Sequence, residues 1–199
     1  GTSVGSPDRM KNVASLITES GDPTFVVLSA MSGTTNSLIE ISNYLYKKNP
    51  DGANEVINTL EKKYMQHVEE LYSTDEYKEK TREFLREEFK YMRSFTKDIF
   101  TSFEEKSIVA QGEIMSTNMV LNYLQEQGIK ATLLSAFDFM RTDKNAEPDA
   151  QYIKEKLTAI MTENEGYQIY ITQGFICLNA YGEIDNLQRG GSDFTASLI

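Results

Sequence analysis

TFVVLSAMSGTTNS, residues 24–37, joins two kinds of pattern. TFVVLSA (24–30) is apolar and β-branched on consecutive positions, which fits a strand buried on both faces. MSGTTNS (31–37) is a small polar loop that leads into a helical stripe at Leu38, Ile41 and Leu45. A buried strand that hands over to a helix is the repeating unit of an α/β sheet.

Upstream, residues 7–19 read as a helix. Ser6 suits its cap and Pro7 its first position, with Met10, Val13, Leu16 and Ile17 as the inward stripe. Gly21-Asp22-Pro23 breaks it. Downstream, residues 51–104 carry long helical periodicity. Val56, Ile57, Leu60, Tyr64, Val68 and Leu71 form one stripe, and Phe84, Leu85, Phe89, Met92, Phe95 and Ile99 a second. This segment reads as a helical hairpin, charged outside and apolar inside.

Residues 107–128 predict a further helix interrupted at Gly112, where the backbone of a neighbour comes close or Glu113 is presented in a set direction. IKATLLSA (129–136) reads as a strand, and a helix starting at residues 146–149 runs through Ile153, Leu157 and Ile160. YQIYITQGFICLNA (167–180) reads as strand, break at Gly174, strand; LQRGGSD then leads into a last helical turn. Strands alternating with helices predict a three-layer α/β/α sandwich with a largely parallel central sheet and a helical-hairpin insertion.

Composition sets limits. The 199 residues are 40 % apolar and 25 % charged, enough for one domain with a substantial core. A net charge of −10 argues against nucleic acid as a partner. No apolar run reaches the ~18 residues a membrane helix needs, so no membrane partner is expected. The single cysteine, Cys177, lies in the apolar run FICL and reads as a small buried hydrophobe; the reducing cytoplasm is the expected compartment. His67, the one histidine, has no partner for a metal site or a triad. The chain opens on Gly1, and its first methionine is Met10, so a natural start upstream is expected.

In a parallel α/β sheet, ligands sit at the carboxyl ends of the strands. Gly1, Thr2 and Ser3 precede a helix and offer backbone N–H groups and hydroxyls to a phosphate, although such a loop also serves simply to turn the chain. Ser29, Ser32, Thr34, Thr35 and Asn36 follow the first strand, and Thr35 and Asn36 would equally cap the next helix. Glu113 follows Gly112 and precedes an apolar run, so it is a candidate for burial against a cationic group. In the closing loop, Arg189 carries a planar fork for carboxylates, Gly190 and Gly191 allow close approach, and Ser192 and Asp193 either serve the ligand or cap the last helix. There is no G-x-x-x-x-G-K-[ST] loop and no G-x-G-x-x-G.

Taken together these loops resemble the amino-acid kinase family, and within it the aspartate kinases. GTSVGS resembles the tail of K-F-G-G-T-S-V, VVLSAMSGTTN resembles V-V-S-A-x-x-G-x-T-N, and QGEIMST resembles G-E-x-x-S. FMRTDKNAEPD, TQGF and RGGSDFTA follow in the family's order, across essentially the whole chain. The resemblance implies an incomplete amino-acid kinase fold. It also implies transfer of the γ-phosphoryl group of ATP to the side-chain carboxylate of L-aspartate, with Mg2+, on the route to lysine, threonine and methionine.

By resemblance, Arg189 and Thr35 would hold substrate carboxylates and Glu113 the α-amino group. Ser29, Phe175 and Ser192 would line the pocket, Asp193 would organise the catalytic lysine, and Gly1, Thr2 and Ser3 would face the transferred phosphate. It further implies that residues 1–199 are the amino-acid-binding lobe, inactive alone. The lysine-bearing strand, the nucleotide-binding half and the ACT regulatory domains would lie outside it, and the full-length protein would be a homo-oligomer. Two other readings stand beside this one. One is a sister kinase acting on acetylglutamate, glutamate or a nucleoside monophosphate; the other is a non-catalytic interaction module built on 51–104.

Overall fold

Each element of the computed structural model, which describes residues 2–188 and 191–199, follows from a local signal. A 3-10 turn at Thr2–Val4 precedes helix α1, Pro7–Thr18, whose Arg9 N–H donates to Ser6 Oγ at 3.3 Å. Then come strand β1 (Thr24–Leu28), helix α2 (Thr34–Tyr46), and the long helices α3 (Pro50–Leu71) and α4 (Asp75–Ser94). Helices α5 (Ser102–Val109) and α6 (Gln111–Glu126) lead to strand β2 (Ala131–Leu133). Helix α7 (Ala150–Glu163), strands β3 (Ile169–Gln173), β4 (Ile176–Leu178) and β5 (Ile184–Asn186), and helix α8 (Gly191–Leu198) complete it.

The sheet is parallel, in the order β1-β3-β2, with Thr24 opposite Ile169 and Ala131 opposite Ile169 from the other side. Its side chains alternate between two cores, as the two-residue period of a strand requires. Val26, Leu28, Ala131, Leu133, Ile169 and Ile171 face the larger core, with residues of α1–α4 and α6. Phe25 and Tyr170 face the second core, with Ile153 and Leu157 of α7 and Leu198 of α8. Helices on both faces give the expected layers. β1 is less enclosed than its sequence suggests: all of β3 is buried, but in β1 only Leu28 is. The reason is position, since β3 is central and β1 is an edge strand.

Other expectations shift. The hairpin α3–α4 forms and closes in a 3-10 turn at Phe95–Lys97, but α5 is a separate helix with its own capping box at Thr101 and Glu104. Ile99 lies in the link and is 86 % exposed, and Leu16, on the outer side of α1, is 70 % exposed; neither belongs to a core stripe. The break in the 107–128 helix falls at Ala110, between α5 and α6, and Gly112 sits inside the first turn of α6. β5 pairs antiparallel with β4. It is short and carries Asp185 at its centre, ion-paired with Lys106, so no apolar run announced it.

The hairpin is held at its tip by one side chain of α6. The Glu126 carboxylate accepts from Ser73 N–H, Thr74 N–H and the Thr74 hydroxyl. Tyr72 hydroxyl, buried beside it, donates to Met119 O at 2.6 Å. Tyr64 and Phe89 meet edge to face in the hairpin interior, with ring centroids 5.8 Å apart.

Candidate active site

β1 and β3 run side by side, so their carboxyl ends open in the same place, Leu28 opposite Gln173. Two loops leave from there. After β1, the chain passes through Ser29–Gly33 and enters α2. Gly33 is the N-cap, with φ 80°, a left-handed geometry that favours glycine. No side chain caps α2, so Thr35 and Asn36 do not have the capping role that was open to them. After β3, the chain turns through Gly174 and Phe175, whose φ of 68° is strained for a residue with a side chain. Phe175 is locked there by its neighbours: its N–H donates to Thr195 Oγ1 at 3.2 Å, and its carbonyl accepts from Leu187 N–H at 2.8 Å.

α6 crosses beneath both loops, and two glycines set the distances. A Cβ on Gly112 would lie 2.9 Å from Ala30 Cβ, so the small residue lets α6 approach the loop after β1. A Cβ on Gly174 would lie 2.5 Å from Ser192 Cα, so its absence lets the first turn of α8 sit on the β3–β4 turn. α6 is also tied to these loops by polar groups. Ser116 Oγ donates to Ser29 O at 2.6 Å. Gln173 bridges, with Nε2 donating to Thr117 Oγ1 at 3.2 Å and Oε1 accepting from Ala136 N–H at 2.8 Å.

These contacts assemble a cavity of about 310 Å3 lined by Ser29, Thr35, Glu113, Phe175, Gly191, Ser192 and Asp193. Residues from the loops after β1 and β3, from α6 and from α8 thus share one concavity. Thr2 and Ser3 are exposed and do not line it; the nearby Gly5 packs on Ser32, where an added Cβ would lie 2.4 Å from the Ser32 hydroxyl oxygen. Gly1 and Arg189 lie outside the described residues. A larger concavity of about 750 Å3 lies between α7 and α8. Its walls combine apolar side chains (Phe25, Ile153, Leu157, Met161 and Leu198) with Lys154, Thr158, Thr162 and Glu165, and none of them comes from the loops after β1 and β3.

Glu113 is the unusual group of the smaller cavity. It is buried, only 4 % exposed. Ala30 N–H donates to its Oε1 at 3.4 Å, and Oε2 has no hydrogen-bond partner among the described residues. Burial penalises the carboxylate charge and pushes the pKa up to about 7. A buried carboxyl in a cavity wall, with one oxygen unpartnered, is prepared for a cation or a donor. Around it stand the hydroxyls of Ser29, Thr35 and Ser192, the Phe175 ring and the exposed carboxylate of Asp193.

Tyr64 and Ser116 escaped the sequence reading as contributors to this region, whereas Thr34 was among the polar residues named after the first strand. Tyr64 is one member of an apolar stripe at helical spacing, and nothing local separates it from its neighbours. Elsewhere, Cys177 is buried and its thiol pKa is raised by burial to about 12. Among the described residues no helix is long and apolar enough to cross a membrane.

The chain matches the model of the amino acid kinase family over residues 1–199, and it belongs to that family. Lysine-sensitive aspartokinase 3 of Escherichia coli (strain K12) is 30% identical over 204 residues, covering 100% of this chain and 44% of the relative. An aspartokinase of Chlamydia muridarum is 28% identical over 203 residues, covering 100% of this chain and 43% of the relative. The crystal structure of E. coli aspartokinase III in complex with aspartate and ADP matches with a TM-score of 0.80 at 30% identity, covering 100% of this chain and 44% of that one. The chain therefore spans less than half the length of these relatives.

Proposed function

We propose that these residues are the amino-acid-binding lobe of an aspartate kinase. In the proposed reaction, an oxygen of the aspartate side-chain carboxylate attacks the γ-phosphorus of ATP. A new O–P bond forms, the bond to the β-phosphate oxygen breaks, and 4-phospho-L-aspartate and ADP result. The product opens the route to lysine, threonine and methionine. The observation that carries the reading is Glu113: a buried carboxyl with an unpartnered oxygen, in a hydroxyl-rich cavity sized for a small molecule. The kinases named among the relatives, one of them solved with aspartate and ADP, support the choice of substrate.

The roles follow from charge. Aspartate brings one ammonium and two carboxylates. Glu113 takes the ammonium, and in ionising to do so it gives up the proton that burial keeps on it. Thr35 and Ser29 offer hydroxyls to carboxylate oxygens, and Arg189 supplies the bidentate fork. Phe175 and Ser192 fix the position of the carbon chain. Asp193 is assigned the orienting of a lysine donor, and Gly1, Thr2 and Ser3 the handling of the transferred phosphate. The attacking group belongs to the substrate, so no protein nucleophile is required; alignment and neutralisation of two anions are what the protein supplies. Among the described residues no group of three or more His, Cys, Asp and Glu side chains is arranged to hold a metal ion. Mg2+ would then be carried chiefly by the phosphates of ATP, whose charge it would offset.

The test is calorimetric competition of aspartate, glutamate, N-acetylglutamate and N-acetylaspartate, with the parent and with Glu113→Gln in the full-length enzyme. Aspartate is expected to bind and N-acetylaspartate, which lacks the ammonium, to fail. Glu113→Gln should weaken aspartate about 30-fold, the scale of one buried charge-assisted interaction. Preference for N-acetylglutamate would reassign the site to a sister kinase. Arg189→Lys keeps the charge but loses the fork; it should raise KM for aspartate more than KM for ATP.

A further inference from the structure

The hairpin does not line the cavity, yet two consecutive residues of α3 reach the loop that forms its wall. Tyr64 is fully buried, and its hydroxyl shares a hydrogen bond with Thr34 Oγ1 at 2.7 Å. Lys63 Nζ donates to Ser32 O at 3.2 Å. Thr34 is the first residue of α2 and the immediate neighbour of Thr35, which lines the cavity.

This turn has little local support. Its N-cap is a left-handed glycine with no side-chain cap, and within the turn Thr34 N–H donates to Met31 O at 3.1 Å. Thr34 is instead gripped from two sides. Its hydroxyl meets Tyr64, and its methyl faces α6, where a Cβ on Gly112 would lie 3.6 Å from Thr34 Cγ2. Both oxygens of the Tyr64–Thr34 pair are in the dry interior, where a hydrogen bond is directional and costly to leave half made. Burial, with the Glu113 charge adding to it, holds the Tyr64 phenol well above its ordinary pKa, so it stays a neutral hydroxyl.

We infer that Tyr64 is a positioning residue for the substrate cavity: through Thr34 it sets the first turn of α2, and with it the direction in which Thr35 presents its hydroxyl. Lys63 adds a weaker tie to the same loop. The helical insertion thereby acts as a buttress of the amino-acid seat. This inference rests on the reading of the cavity as the seat of aspartate.

The test uses steady-state kinetics of the full-length enzyme. Tyr64→Phe keeps the ring and removes the hydroxyl; Thr34→Val keeps the shape and removes the partner. Each should raise KM for aspartate about fivefold, the scale of one net hydrogen bond, with KM for ATP unchanged. The double variant has no orphaned polar atom, so its Tm should return toward the parent while KM for aspartate stays high. A KM unchanged in Tyr64→Phe, an equal rise for both substrates, or a KM that recovers together with Tm would each reduce the pair to a packing role and overturn the inference. If the parent itself does not use aspartate, the functional reading falls and this inference with it. If the parent uses aspartate and Tyr64→Phe is silent, only the positioning role is lost.

Discussion

The hairpin interior and the strand-end cavity are both buried in the same domain, but they are built from opposite materials. In the hairpin, Leu60, Val68, Leu85, Phe89 and Met92 are apolar and fully or almost fully enclosed. Such packing is distributed, and its energy comes from area removed from water. At the cavity and just behind its wall, Glu113, Ser116, Thr117 and Gln173 are polar, equally enclosed, and each is tied by hydrogen bonds. That region forgoes apolar burial and depends on a few directed contacts. The hairpin should keep its geometry when a purely apolar side chain is truncated, whereas the cavity should feel the loss of any one directed contact, that of Tyr64 included.

Four expectations test this contrast. The largest concerns the hairpin: Leu85→Ala should lower stability by about 3 kcal/mol through transfer and cavity terms, read as a drop in Tm. KM for aspartate should not change at temperatures where the variant is folded. A rise in KM would show that the two regions are not separable at that position.

Next is the pH response of Glu113, whose folded pKa is raised from the ordinary 4.5 to about 7. Between these values the folded state holds more protons than the unfolded one. The stabilising contribution is therefore complete below about pH 4.5 and fades as pH rises through about 7, by about 3 kcal/mol. Glu113→Gln should remove this slope in denaturant melts from pH 4.5 to 8. Aspartate affinity should move the other way and strengthen with pH over the upper part of that range, because the ammonium selects the ionised acid.

Gly112→Ala should cost about 2 kcal/mol, since the new methyl meets Ala30 Cβ at 2.9 Å in a packed setting. Unlike Leu85→Ala, it should also raise KM for aspartate, because Ala30 N–H is the donor to Glu113. The smallest effect belongs to Leu16→Gln. At 70 % exposure its change in stability should stay within about 0.5 kcal/mol in a urea titration.

Much of the fold was legible because periodicity is local. Met10, Leu38, Ile57 and Leu71 sit inward where helical spacing put them, and Ser6 caps α1 as its type and place suggest. The misreadings have one cause: a stripe reports which face is apolar, not whether another element covers it. Leu16 and Ile99 keep the spacing but meet no cover. β1 carries the composition of a doubly buried strand but lies at the edge, because sheet order is decided by distant pairing with β3. β5 had no local signature at all. In the cavity, Ser29, Thr35, Ser192 and Asp193 were legible as polar groups of loops at strand ends and helix starts, Glu113 as an acid beside Gly112 on a helix, and Phe175 only through the resemblance; all six line one space. The burial expected of Glu113 is found, but its unpartnered oxygen and the part played by Tyr64 were not legible.

By itself the sequence determined the kinds of element, their order and the motifs that mark the family, since these depend on residue type and spacing along the chain. Tertiary structure alone decided the dielectric around Glu113, the close approaches that require glycine at 112 and 174, and the grip of Tyr64 on Thr34. Those properties arise between residues far apart in the chain, where water is excluded and distance is set by packing.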